Sequence, residues 1–243
     1  MLLICAMIVF EIRRSLKGKK FRIRKIPALD ALTEGIGRAT EMGRPVHYSA
    51  GISSLTAPIM LASLEYLSYI AGQCARYGTK LIATVAQGDV FAVSTEVARA
   101  AYSQEGAPDK FTADTVRFLS SNQFVYGGGI AGIVNREKVA TNIIIGGFAD
   151  EALFIAESGH QAGALQIGGT QNRYQIPFFV AACDFTLLGE EIFAGSAYYS
   201  QDPAELGAIS GQDFAKALAV IMVIVGAIFQ TLKIPWLAQI MQK

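Results

Sequence analysis

The sequence predicts a doubly wound α/β layer with a mostly parallel sheet, Rossmann-like in the loose sense, flanked by terminal membrane helices. Three observations lead there. Strand-like and helix-like stretches alternate from residue 46 onward, and the strands are short continuous apolar runs, as in a parallel sheet covered on both faces. Three segments, "LIATVAQGD", "IIIGGFAD" and "FFVAACD", share one grammar: an apolar run, a small-residue turn, an aspartate, then a helix. The two ends of the chain are apolar, whereas the middle is acidic.

The elements follow in order. Residues 26–45 read as a helix opened near Pro27 or Asp30 and stopped by Gly43 ahead of Pro45. Residues 46–52 read as a strand. Residues 56–78 form a long helix with Pro58 in its first turn and Gly78 at its end. A short apolar strand at 79–87 leads into a helix at 88–106. After the break at "APDK", residues 111–121 suggest a short helix and 122–128 a strand. A helix at 130–140, a strand at 141–148 and a helix at 149–164 come next. Strands are expected at 165–170 and 176–183, and a last helix at 184–201. Right-handed crossovers then place helices on both faces.

Composition bounds the setting. Of 243 residues, 52% are apolar and 17% charged, which leaves apolar surface for lipid or for other chains. The net charge of +1 conceals an asymmetry: residues 26–213 hold 19 acidic and 10 basic side chains. The bases cluster instead at 13–25, with Arg13, Arg14, Lys17, Lys19, Lys20 and Arg22 among them. A basic collar beside an acidic domain argues against nucleic acid and suits anionic lipid. Three widely spaced cysteines, Cys5, Cys74 and Cys183, suggest a reducing compartment.

Residues 1–12 are expected to be an N-terminal anchor. Because the charge follows the apolar run, the order opposes a cleaved signal peptide. Ten apolar residues cover only about 15 Å of a hydrocarbon layer roughly 30 Å thick, so this run dips partway or continues from an upstream start. Residues 214–232 are expected to span the bilayer, with the apolar residues pointing in all directions. Residues 233–243 would form an interfacial tail with Trp236 at the headgroups. The collar at 13–25 then holds the domain at 26–213 on the cytoplasmic side of the inner membrane.

The run from "GRPVHYSAGI" through "GTKLIATVAQGDV" to "FVYGGGIAGIVNREKVATNIIIGGFADEALFIAESGHQAGALQIGGT" resembles an uncharacterised family of bacterial and archaeal membrane-anchored proteins, known only as a domain of unknown function. The likeness covers residues 27–231. It implies a membrane setting and carries over no catalytic residue.

Two constellations could carry chemistry. Gly127, Gly129 and Gly132 fit G-x-G-x-x-G, whose glycines allow a tight turn and close approach to a pyrophosphate at a helix N-terminus; they could equally serve the backbone alone. Asp89, Asp150 and Asp184 stand after three apolar runs. They could converge at the strand ends on Mg²⁺ and a phosphate, or each could cap its helix. A nucleotide with Mg²⁺ is thus the cofactor to test, although no motif for it is complete. His47 and His160 lack metal-ligand spacing, and Cys183 lacks an identifiable base. Two anchors without a complete catalytic set point to a structural or assembly subunit. Its partners would be the bilayer, copies of itself and other membrane proteins. The alternative is a phosphate-ligand domain working at the strand edge.

Overall fold

The computed structural model describes residues 2–18 and 26–231. The chain divides into two compact units: the terminal segments Met1–Ile23 and Gln201–Lys243 form one, and Arg24–Ser200 the other. The terminal unit contributes the first helix, α1 (Leu2–Leu16). Lys19, Lys20, Arg22, Trp236 and the tail 233–243 lie outside the described residues.

The α/β unit opens with α2 (Pro27–Met42) and β1 (Val46–Gly51), then α3 (Pro58–Tyr77), β2 (Leu81–Val85) and α4 (Gly88–Gln104). β3 (Val116–Phe118), α5 (Gln123–Glu137), β4 (Thr141–Gly147) and α6 (Glu151–Gln161) follow. β5 (Leu165–Thr170), α7 (Ile176–Ala182), β6 (Phe185–Leu188) and α8 (Glu191–Ser200) complete it. α3 shows why these boundaries hold. Its fixed-φ Pro58 lies in the first turn, and Gly78, at φ +72°, closes the last turn with its N–H directed to the Ala75 and Cys74 carbonyls.

All six strands are parallel, in the order β3-β2-β1-β4-β5-β6. The chain winds outward from β1 through α3 and α4, crosses back over α5 to β4, and winds the other way through α6 and α7. This is the classical dinucleotide-fold strand order, with its reversal between β1 and β4. One face carries α2, α3, α4 and α8, where Tyr48 donates to the Ser63 carbonyl at 2.6 Å and Tyr66 to the Ile192 carbonyl at 3.0 Å. The other carries α5, α6 and α7 over a core of Tyr126, Ile130, Val134, Ile144, Ile155 and Phe179.

Four segments depart from the sequence reading. Residues 111–121 hold strand β3 rather than a helix, and 123–128 begin helix α5 rather than ending a strand. The Asn122 side chain decides the latter by accepting from the Phe124 and Val125 N–H groups, a cap that starts a helix. Residues 176–182 are helix α7, with Pro177 in its first turn, and Phe185–Leu188 is strand β6 rather than the start of a helix.

In the terminal unit α1 runs antiparallel to α9 (Pro203–Thr231), which starts well before residue 214. A Cβ on Gly207 would lie 2.6 Å from the Ile12 Cα, and one on Gly211 2.8 Å from the Ile8 Cα. Two glycines four residues apart thus let the backbones meet, a contact common between membrane helices. Pro203–Phe229 is long and apolar enough to cross a membrane.

Candidate functional site

In a doubly wound sheet a ligand enters where the strand order reverses, outside the strand C-termini. Here that place lies between β1 and β4, which stay paired to their last residues. Gly51 pairs with Gly147 beyond a register shift in β1, and the Ile52 N–H donates to the Gly147 carbonyl at 2.8 Å. A Cβ on Gly146 would meet the Ala50 carbonyl oxygen, one on Gly147 the Ser53 hydroxyl, and one on Gly51 the Gly147 carbonyl oxygen. Gln87, from the end of β2, seals the seam by donating its amide to the Ile52 carbonyl at 2.8 Å. The glycines at the reversal serve strand-to-strand contact.

The G-x-G-x-x-G run lies within α5 and not at a strand-to-helix turn. Gly127 is buried where α5 crosses α6: a Cβ there would lie 2.9 Å from the Glu151 Cβ. Gly128 and Gly132 face open space, while Gly129 lies against Leu119. These three line an open groove of about 550 Å³ with Arg117 and Arg136. Arg117 is already held by Asp114 at 2.5 Å and Glu137 at 3.6 Å.

The three aspartates do not converge. Asp89 is in the first turn of α4, its Oδ1 accepting from the Val90 N–H, and Asp150 precedes α6 without a side-chain cap bond. Both follow strand C-termini. Asp184 stands at the opposite edge, ahead of β6, where its Oδ2 accepts from the Gln166 N–H at 2.8 Å. The reason is that the run before it is α7 and not a strand. Among the described residues no three His, Cys, Asp or Glu side chains are grouped to hold a metal ion. His160 is exposed in the last turn of α6. Burial pushes the Cys183 thiol up to about 12, so a thiolate is disfavoured there.

The polar groups the structure does unite form a row beneath α6. His47, Asn142 and Gln166 are each the second residue of their strands and lie in register across β1, β4 and β5. The Gln166 amide nitrogen donates to the Ala156 and Ala182 carbonyls at 2.7 and 2.8 Å. Its Oε1 therefore accepts from the Asn142 nitrogen at 2.9 Å. Asn142 Oδ1 then faces His47 Nδ1 at 2.7 Å, so Nδ1 carries the proton and Nε2 accepts from the Thr84 hydroxyl at 3.0 Å. Burial drives the imidazole down to about 4, which keeps it neutral. Gly159 of α6 packs directly over Asn142 and Gln166, and His47 is fully buried. The row braces the sheet and is closed to solvent. The sequence carries its signal, a polar second residue in three successive strands of the sheet ("VH", "TN", "LQ"), which apolar-run reading passes over.

A family model described as Domain of unknown function (DUF6754) matches residues 1–241. The chain belongs to the DUF6754 family. Comparison with curated proteins and with solved structures gives no match in either.

This DUF6754 chain also buries one carboxyl group that pattern reading missed. Glu151 is fully buried at the start of α6; its Oε1 accepts from the Ala149 N–H at 3.0 Å, and its Oε2 has no hydrogen-bond partner among the described residues. Burial raises its pKa above the ordinary carboxylate value of 4.5. A raised folded pKa favours the protonated form, so stability is present at low pH and declines as pH rises through the folded value. Glu151→Gln is expected to flatten that decline and to raise the melting temperature at pH 8 more than at pH 4. Calorimetry of both proteins across that range checks it, and an equal shift at both pH values would remove the ionisation account.

Proposed function

We propose that this chain is a membrane-anchored scaffold subunit. Its terminal helix pair sits in the inner membrane, and its α/β domain faces the cytoplasm and assembles with copies of itself and with other membrane proteins. The observation that carries the reading is the outer half of α9: Val220, Ile221, Met222, Val223 and Ile224 are each more than half exposed. Successive helical residues point about 100° apart, so no face of this apolar stretch is covered by the described residues. Lipid supplies the missing solvent. The basic residues at 13–25 support the cytoplasmic placement through the positive-inside rule. The Gly127–Gly132 run lies inside α5 and not at a strand-to-helix turn, which weighs against the nucleotide alternative.

Membrane fractions of cells expressing the full chain test this. The protein is expected to stay in the pellet after carbonate washing and to be released by detergent. A variant carrying Val220→Asp, Val223→Asp and Ile224→Asp is expected in the supernatant. Recovery of the unmodified chain from plain buffer as a dispersed monomer would sink the anchoring. A nucleotide screen with and without Mg²⁺ is expected to leave the melting temperature unchanged. A reproducible rise would favour the ligand-binding alternative.

A further inference from the structure

The α/β domain exposes large apolar side chains at one end of one face. Phe124 and Val125 lie in the first turn of α5, Leu153 and Phe154 in the first turn of α6, and Tyr174 and Phe178 at the start of α7. Each is between 45% and 79% exposed. All three helix starts follow parallel strands, so they share the C-terminal edge of the sheet. The helices are neighbours: Gly127 touches Glu151 between α5 and α6, α6 packs against α7, and the Phe148 ring, in the loop ahead of α6, lies 5.7 Å from that of Phe179 in α7. The six side chains therefore form one band across three helices.

We infer that this band is the surface on which a second copy of the chain docks. Large side chains of this kind present 150–250 Å² each, so the exposed fractions amount to roughly 600 Å², close to the ~800 Å² per partner of a standard interface. That is the upper end of the roughly 300–600 Å² that the largest apolar patch of a lone soluble domain covers, and patches of that size are often functional. Charge selects the occupant. Asp150 and Arg173 flank the band, both exposed, and neither has an ion pair among the described residues. In a two-fold contact a residue pair is made twice, so Arg173 of each copy meets Asp150 of the other. With Glu157 also exposed on α6, the flank holds two acids and one base, a poor match to anionic lipid. The inference rests on the membrane-scaffold reading, which places copies in one plane and raises their effective concentration.

The test uses the full chain in detergent, with mass read by native mass spectrometry and membrane retention read separately by vesicle flotation. The unmodified chain is expected to be dimeric or larger. Phe124→Glu with Phe154→Glu is expected to weaken association at least ~10-fold, as hot-spot losses do, with flotation and melting temperature retained. Asp150→Arg alone and Arg173→Asp alone are expected to weaken it, and the double reversal to restore it. An assembly unaffected by Phe124→Glu with Phe154→Glu, or a monomer that still floats, overturns the docking surface while leaving the anchor intact. A variant that keeps its assembly but loses flotation shows a lipid-facing band and overturns it too. Loss of flotation by the unmodified chain strikes the scaffold reading itself.

Discussion

Gly146→Ala is expected to cost the α/β domain about 3 kcal/mol or more, the scale at which a small domain ceases to fold reliably. The added Cβ would meet the Ala50 carbonyl oxygen and stand 2.5 Å from its carbonyl carbon and 3.2 Å from its Cα. These are backbone atoms of the central pair of strands, and no rotamer change relieves them. Separating β1 from β4 would also break the Gly51–Gly147 pairing and the Ile52 N–H bond to Gly147. Gly51→Ala would meet a backbone oxygen as well, in a residue held at φ +81°. Gly128→Ala is the opposing control. It sits on an exposed part of α5 with nothing within 4 Å, and it is expected to stabilise by roughly 0.5–1 kcal/mol. Denaturant midpoints of the three variants check this. A Gly146→Ala protein as stable as its parent would mean that the β1 and β4 ends part without cost, and the close-contact account of these glycines would fall.

Stability is expected to fall by about 3 kcal/mol as pH drops from 6.5 to about 4, because of His47 alone. The sign follows from the depressed folded pKa. Above 6.5 neither state protonates the ring; between 6.5 and about 4 only the unfolded chain does; below about 4 both do. The contribution is thus complete above the unfolded value and lost on approaching the folded one. Protonation would put a second donor at Nε2, and the Thr84 hydroxyl would have to turn its own proton to the Tyr48 carbonyl at 3.4 Å; the cost that remains is that of a charged ring with no solvent around it. His47→Gln is expected to erase this acid slope. Asn142→Leu would strip His47 Nδ1 and Gln166 Oε1 of their partners and is expected to cost about 2 kcal/mol or more at pH 7. Urea denaturation between pH 4 and 8 measures both. An unchanged slope in His47→Gln would transfer the acid sensitivity to other groups.

The misread segments share a cause. Runs such as 122–128 and 176–183 are short and apolar, and over so few residues strand and helix cannot be told apart by period. One capping amide at Asn122 and one proline at Pro177 turned them into α5 and α7. The site readings depended on those assignments. With α5 a helix, Gly127–Gly132 cannot form a phosphate turn; with α7 a helix, Asp184 moves to the far edge of the sheet. The Gly51, Gly146 and Gly147 seam was invisible because those glycines are far apart along the chain and meet only through strand pairing.

By itself the sequence determined the fold class, the alternation of parallel strands and helices, and the apolar helix at the C-terminal end. Those follow from local pattern: buried strands read as unbroken apolar runs, and the stretch 217–229 within α9 reads as apolar in every direction. Tertiary structure alone decided which glycines touch, that His47, Asn142 and Gln166 join into one neutral row, and which helix ends share an exposed apolar band. Each of these depends on strand order and register, which bring together residues dozens to over a hundred positions apart and leave no trace in local periodicity.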